Sequence, residues 1–155
     1  MQTFHINPAA ESTPAPLARI LVVDDDSTIA GLHAAVLELA GYEVVTAENG
    51  EDALMELAFG EFDLVLTDCN MPVLDGAGMV LALRSAGSRI PVVMVSGSLA
   101  HAALPPAVAR EISAAIAKPA KTAEVIEAIA RALKPRLPAG RLHRMPDAPD
   151  SRCAC

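Results

Sequence analysis

No apolar run in this chain approaches the ~20 residues of a membrane-crossing helix, so membrane insertion is not expected. Cysteine is scarce, with three in 155 residues, too few for a disulfide framework; a reducing cytoplasm fits best. The start, MQTFHINPAAESTPAP, lacks the basic cluster and apolar centre of a signal peptide. Positive charge is short: the formal net charge is -7, which argues against direct binding to nucleic acid. The acidity lies in the body, because from Lys134 onward five Lys/Arg face two Asp. Aromatics are 3% of the chain. His5, His33, His101 and His143 show no metal-ligand spacing.

Hydrophobic residues make up 52%, enough for one packed core, and the length suits one domain with tails. Residues 1–17 are polar and Pro-rich, with Pro8, Pro14 and Pro16, and read as a flexible leader. Residues 18–134 alternate strand and helix patterns. RILVV, YEVVTA, DLVLT, PVVMV and the weaker SAAIA read as strands, near-continuously apolar as expected of strands covered on both faces. Between them lie helical patterns. Ser27 is the expected cap of the first, whose apolar positions are Ile29, Leu32, Val36, Leu37 and Leu39, and Gly41 ends it. Asn49 caps a second, carrying Ala53, Leu54, Leu57 and Ala58 and stopping at Gly60. A third holds Met79, Val80, Leu81 and Leu83 and stops near Gly87. Pro105-Pro106 delays the fourth. Thr122 is the expected cap of the last, with Val125, Ile126, Ile129 and Leu133, and Pro135 stops it. Residues 135–155, with Pro138, Gly140, Pro146 and Pro149, read as a disordered tail. Five strands alternating with five helices predict an α/β fold with a doubly wound parallel sheet and right-handed crossovers.

Asp24, Asp25, Asp68, Ser96 and Lys118 each stand at the end of one of those apolar runs. In a parallel sheet all five emerge at the carboxyl edge, where open α/β sheets bind ligands. Three clustered carboxylates repel one another unless a cation shares them. A hard metal such as Mg²⁺, beside phosphate chemistry, answers that demand.

The segments VVDDD, LTDCNMPVLDG, MVSG and IAKP occur in this order from Arg19 to Leu133. On them the chain resembles a receiver domain of the two-component response regulator family. The resemblance implies a flavodoxin-like (βα)5 fold with strand order 2-1-3-4-5. It implies that Asp68 is the phosphoacceptor, taking a phosphoryl group from a histidine kinase or phosphotransfer protein. Asp25, Asp68 and the carbonyl of Asn70 would meet Mg²⁺, and Asp24 would act through water. Ser96 would hydrogen-bond the phosphoryl oxygen, and Lys118 would pair with the phosphoryl group. Such a domain promotes its own phosphorylation and dephosphorylation without being a conventional enzyme. Its downstream target is another protein, and it acts either as a stand-alone receiver or as the receiver of a hybrid kinase.

Two other functions compete. A pseudo-receiver would keep the fold without being phosphorylated. A haloacid-dehalogenase-type phosphatase would use Asp24 as nucleophile and Asp26 as acid/base, with Ser96 and Lys118 as later motifs, but it leaves Asp68 unexplained. Cys69 reads as an incidental loop residue in preference to a redox switch, and Cys153 and Cys155 as part of a bland tail. One departure from the family stands out. Three residues before Lys118, where many receivers carry an aromatic ring that swings inward, this chain has Ala115. Ala120 is also smaller than its usual counterpart.

Overall fold

The structure, a computed structural model, describes residues 14–97 and 104–134. Most of the expected leader, the whole expected tail, Ser98, His5, His101, His143, Cys153 and Cys155 lie outside the described residues.

Five strands form one parallel sheet: β1 (Arg19–Val23), β2 (Glu43–Ala47), β3 (Leu64–Asp68), β4 (Val92–Ser96) and β5 (Ala114–Ala117). Their order is β2-β1-β3-β4-β5, the doubly wound arrangement. Between and after them run α1 (Ser27–Leu39), α2 (Gly50–Phe59), α3 (Gly76–Ser85), α4 (Pro106–Ala109) and α5 (Thr122–Leu133). Every residue of β3 and β4 is buried, which is why their sequences show no alternation.

Side-chain alternation along the strands divides the core in two. Leu21, Val23, Val65, Val92 and Met94 pack with Ala53 of α2, Met79, Val80 and Leu83 of α3, and Val108 of α4. Ile20, Val22, Leu64, Leu66, Val93 and Val95 pack with Ala30 and Leu37 of α1 and Val125 and Ile129 of α5. In-register pairs such as Leu21 with Val65, and Val65 with Val92, keep each face continuous across the sheet.

Two caps sit one residue earlier than expected. Asp26, not Ser27, caps α1, accepting from the N–H groups of Thr28 and Ile29. Lys121 occupies the cap position of α5 in place of Thr122, and Glu124 reaches back to the Lys121 N–H at 3.3 Å. The buried face of α1 is also rotated from the expected one. Ala30 and Leu37 are buried, whereas Leu32 and Leu39 are exposed, because a stripe one turn wide is all that the sheet covers. Leu81 of α3 is exposed too. Gly41 ends α1 at φ +96°. Its N–H donates to Glu38 and the Tyr42 N–H donates to Leu37, a Schellman closure that favours glycine. As the proline pair predicts, α4 begins only at Pro106; it makes a single turn.

Candidate functional site

The carboxyl ends of β1, β3, β4 and β5 bring the sequence-marked residues together. Asp24 follows β1, Asp68 and Ser96 close β3 and β4, and Lys118 follows β5. The backbone secures these ends to one another. The Asp24 N–H donates to Ala47 (3.1 Å), Cys69 to Val95 (3.0 Å) and Lys118 to Ser96 (2.7 Å).

Carboxylate oxygens of Asp24, Asp25 and Asp68 all lie within 4.8 Å of one another. Asp24 and Asp68 are buried, and Asp25 is exposed. Lys118 enters from the side, its Nζ 2.9 Å from Asp68 Oδ1 and 3.9 Å from Asp24 Oδ2. Three negative charges therefore share one ammonium. Burial pushes the Asp24 carboxyl above its usual value, against the Asp26 N–H and the Lys118 charge, and Asp68 and Asp25 add repulsion. Burial alone would lower the Lys118 ammonium. Its hydrogen bond to Asp68 and the charges of Asp68, Asp24 and Asp25 outweigh that, and the net direction is up. The donor set is all carboxylate oxygen with charge to spare, which fits a hard divalent ion.

Ser96 is buried at the end of β4, and its side chain hydrogen-bonds with the Cys69 thiol. Burial pushes that thiol up, the Ser96 bond opposes this, and Asp68 and Asp75 add to the rise. A protonated thiol is a poor nucleophile, and this rise favours the protonated form of Cys69. Asn70 stands exposed in the loop two residues beyond Asp68.

Some supports of the site were not legible in the sequence. The Asp68 carbonyl accepts from the Thr67 hydroxyl at 2.9 Å. The Gly76 N–H donates to the Cys69 carbonyl at 3.0 Å, drawing the start of α3 against the end of β3. His33 of α1 is half-buried; burial pushes its imidazole down, while Asp24 pulls it up and Lys118 opposes. Only the way α1 crosses the sheet brings His33 into the field of the site, and no local motif encodes that crossing. Asp26 commits one carboxylate oxygen to capping α1.

This fold is shared with known proteins. The response regulator receiver domain family matches residues 20–130, and the chain belongs to that family. It is 44% identical over 78 residues to the transcriptional regulatory protein PrrA of Mycobacterium tuberculosis, covering 50% of this chain and 34% of PrrA. It is 36% identical over 120 residues to the tetrathionate response regulatory protein TtrR of Salmonella typhimurium, covering 76% of this chain and 57% of TtrR. The chain thus spans about a third of PrrA and over half of TtrR. Among solved structures, the response regulator TrrA of Thermotoga maritima, in complex with Mg²⁺ and BeF, has a TM-score of 0.67 at 30% identity, covering 74% of this chain and 97% of TrrA. The chemotaxis response regulator CheY4 of Vibrio cholerae has a TM-score of 0.64 at 29% identity, covering 74% and 98%. Response regulators are the partners of histidine kinases in two-component signalling, and this chain carries their receiver unit. Among the described residues no helix is long and apolar enough to cross a membrane.

Proposed function

We propose that Asp68 is the phosphoacceptor of this receiver, taking a phosphoryl group from a histidine kinase or phosphotransfer protein in the cytoplasm. The observation that carries this reading is the Lys118 ammonium at 2.9 Å from Asp68 Oδ1, beside the Asp24 and Asp25 carboxylates. A carboxylate attacking a phosphoryl group is an anion attacking an anion, and positive charge must offset that repulsion. Lys118 supplies it from one side. Asp25, Asp68 and the Asn70 carbonyl would hold Mg²⁺ on the other, with Asp24 acting through water. When bound, Mg²⁺ adds charge against the phosphoryl oxygens.

An Asp68 oxygen forms the new bond to phosphorus as the bond to the donor's histidine nitrogen breaks, and the nitrogen keeps the electron pair. Lys118 then pairs with the phosphoryl oxygens. Ser96 exchanges its Cys69 contact for one of them, drawing the segment after β4 inward. The receiver unit is residues 18–134, with 1–17 and 135–155 as flanks. Its acidic body makes no direct contact with DNA, and its output passes through a protein target.

Intact mass after incubation with acetyl phosphate and Mg²⁺ tests this. One labile phosphoryl group per chain is expected, absent in Asp68→Asn. Undiminished labelling of Asp68→Asn, with loss in Asp24→Asn, would instead make Asp24 the nucleophile. A parent chain that is never labelled would be a pseudo-receiver.

A further inference from the structure

At the other end of the strands lies a cavity of about 920 Å³, within the roughly 300–1,000 Å³ of small-ligand sites. Its walls are the segment leading into β4, the α4–β5 loop and the end of α5. Among the described residues Arg84, Arg89, Arg110, Arg131 and Lys134 line it, against Asp63 and Glu111; Arg131 is paired with Glu127 of its own helix. A net positive cleft in a chain of net charge -7 is a departure from the rest of the surface.

The two carboxylates are already engaged. Asp63 accepts from the Arg19 N–H at 2.8 Å, and Glu111 pairs with Arg84 at 3.1 Å. Arg84 also donates to the carbonyls of Ser88, Ile90 and Glu111. It thereby clamps the loop before β4 to the loop before β5 and builds the wall. Each clamped loop then contributes one further arginine, Arg89 or Arg110. Among the described residues neither these two nor Lys134 has an ion pair. Helix ends attract cations, which accounts for Arg84 at the end of α3 and for Arg131 and Lys134 at the end of α5. Arg89 stands in a loop and Arg110 follows a helix of one turn, so that account does not reach them.

We propose that this cleft is a binding site for a small, multiply charged phosphate compound. Cations from three separate elements converge on one volume, and several fixed charges favour a ligand with several anionic groups over one with a single group. Among the described residues no aromatic lines the cleft, which favours recognition of a phosphate chain over that of a stacked base.

Inorganic tripolyphosphate is the probe, titrated calorimetrically into the whole 155-residue chain in Mg²⁺-free buffer. One ion per chain is expected, bound much more tightly than orthophosphate and more weakly as salt rises. Arg89→Gln and Arg110→Gln, both at exposed positions, should each weaken binding about tenfold or more, with unchanged melting temperature. Absence of saturable binding at low salt overturns the proposal. So does binding that survives both substitutions, or that is lost in Lys118→Ala while the arginines are intact, since the ion would then sit at the carboxylate end. Equal competition by a short DNA duplex would make the cleft a nucleic-acid contact and also overturn it.

Discussion

A methyl group placed on Gly76 would stand 2.3 Å from the Asp68 carbonyl oxygen. The first residue of α3 thus packs directly on the backbone of the proposed phosphoacceptor, and no flexible side chain is available to yield. Gly76→Ala should destabilise the chain by about 1–3 kcal/mol and slow phosphorylation by acetyl phosphate, because Asp68 itself must shift. Gly31 is the contrast: it lies mid-helix in α1 with nothing within 4 Å of an added methyl. Gly31→Ala should stabilise by about 0.5–1 kcal/mol. Urea unfolding of the two variants checks both signs; equal effects would remove the steric account.

Acidity should reveal the crowding of the carboxylates. The Asp24 carboxyl is raised above 3.8 in the fold, so the protonated form is favoured there. The stability it contributes is complete below pH 3.8 and is lost as pH rises through the higher folded value. At neutral pH the ionised Asp24 is therefore a burden. In metal-free buffer Asp24→Asn should melt a few degrees above the parent at pH 7, and the gap should close toward pH 4. A gap that is constant with pH would assign the gain to something other than charge.

Metal should act in the opposite sense. Mg²⁺ that binds only the folded chain stabilises it by about 1.4 kcal/mol at ten times its dissociation constant, raising the melting temperature by several degrees. Asp25→Ala should lose that response, and its metal-free form should be at least as stable as the parent, since a like charge has gone. Identical Mg²⁺ shifts in parent and variant would take Asp25 out of the metal site.

Ala115 should shape how a phosphoryl signal at Asp68 spreads. It is half-buried on β5, in register with Met94 and packed on the core beside α3 and α4. A methyl has no second rotamer to exchange, so no ring fills the space Ser96 leaves. A beryllofluoride phosphoryl mimic should change hydrogen exchange in the loops after Asp68 and Ser96 and at Leu104 to Ala109, with β5 nearly still. Changes confined to β5 and α5 would refute this route.

The strands and the order of elements could be read from the sequence because β1, β3 and β4 are buried along nearly their whole length and leave apolar runs, while the edge strands β2 and β5 are only partly covered and read more weakly. The convergence of Asp24, Asp25, Asp68, Ser96 and Lys118 followed from the same fact, since strand ends in a parallel sheet share one edge. What escaped depends on three-dimensional fit. Leu32 and Leu39 keep a helical period yet face outward, because Ala30 and Leu37 are the residues of α1 that the fold buries. Asp26 outcompeted Ser27 as a cap, two acceptable cap residues being adjacent. His33, Gly76 and the Arg84 clamp are legible only once helices and loops have been placed against one another.

Asp68 closes β3 beside the Asp24 and Asp25 carboxylates, and Asp63, just before the start of the same strand, lines the basic cleft. Among the described residues the molecule therefore places opposite local charges at the two ends of β3. In the field of a charged partner it feels a torque before contact, so that a cationic surface meets the carboxylate end first and an anionic one the cleft. Added salt weakens that alignment within a Debye length of about 8–10 Å. A phosphoryl group on Asp68 would deepen the negative end, so that the signal changes not only what the molecule touches but also how it turns on approach.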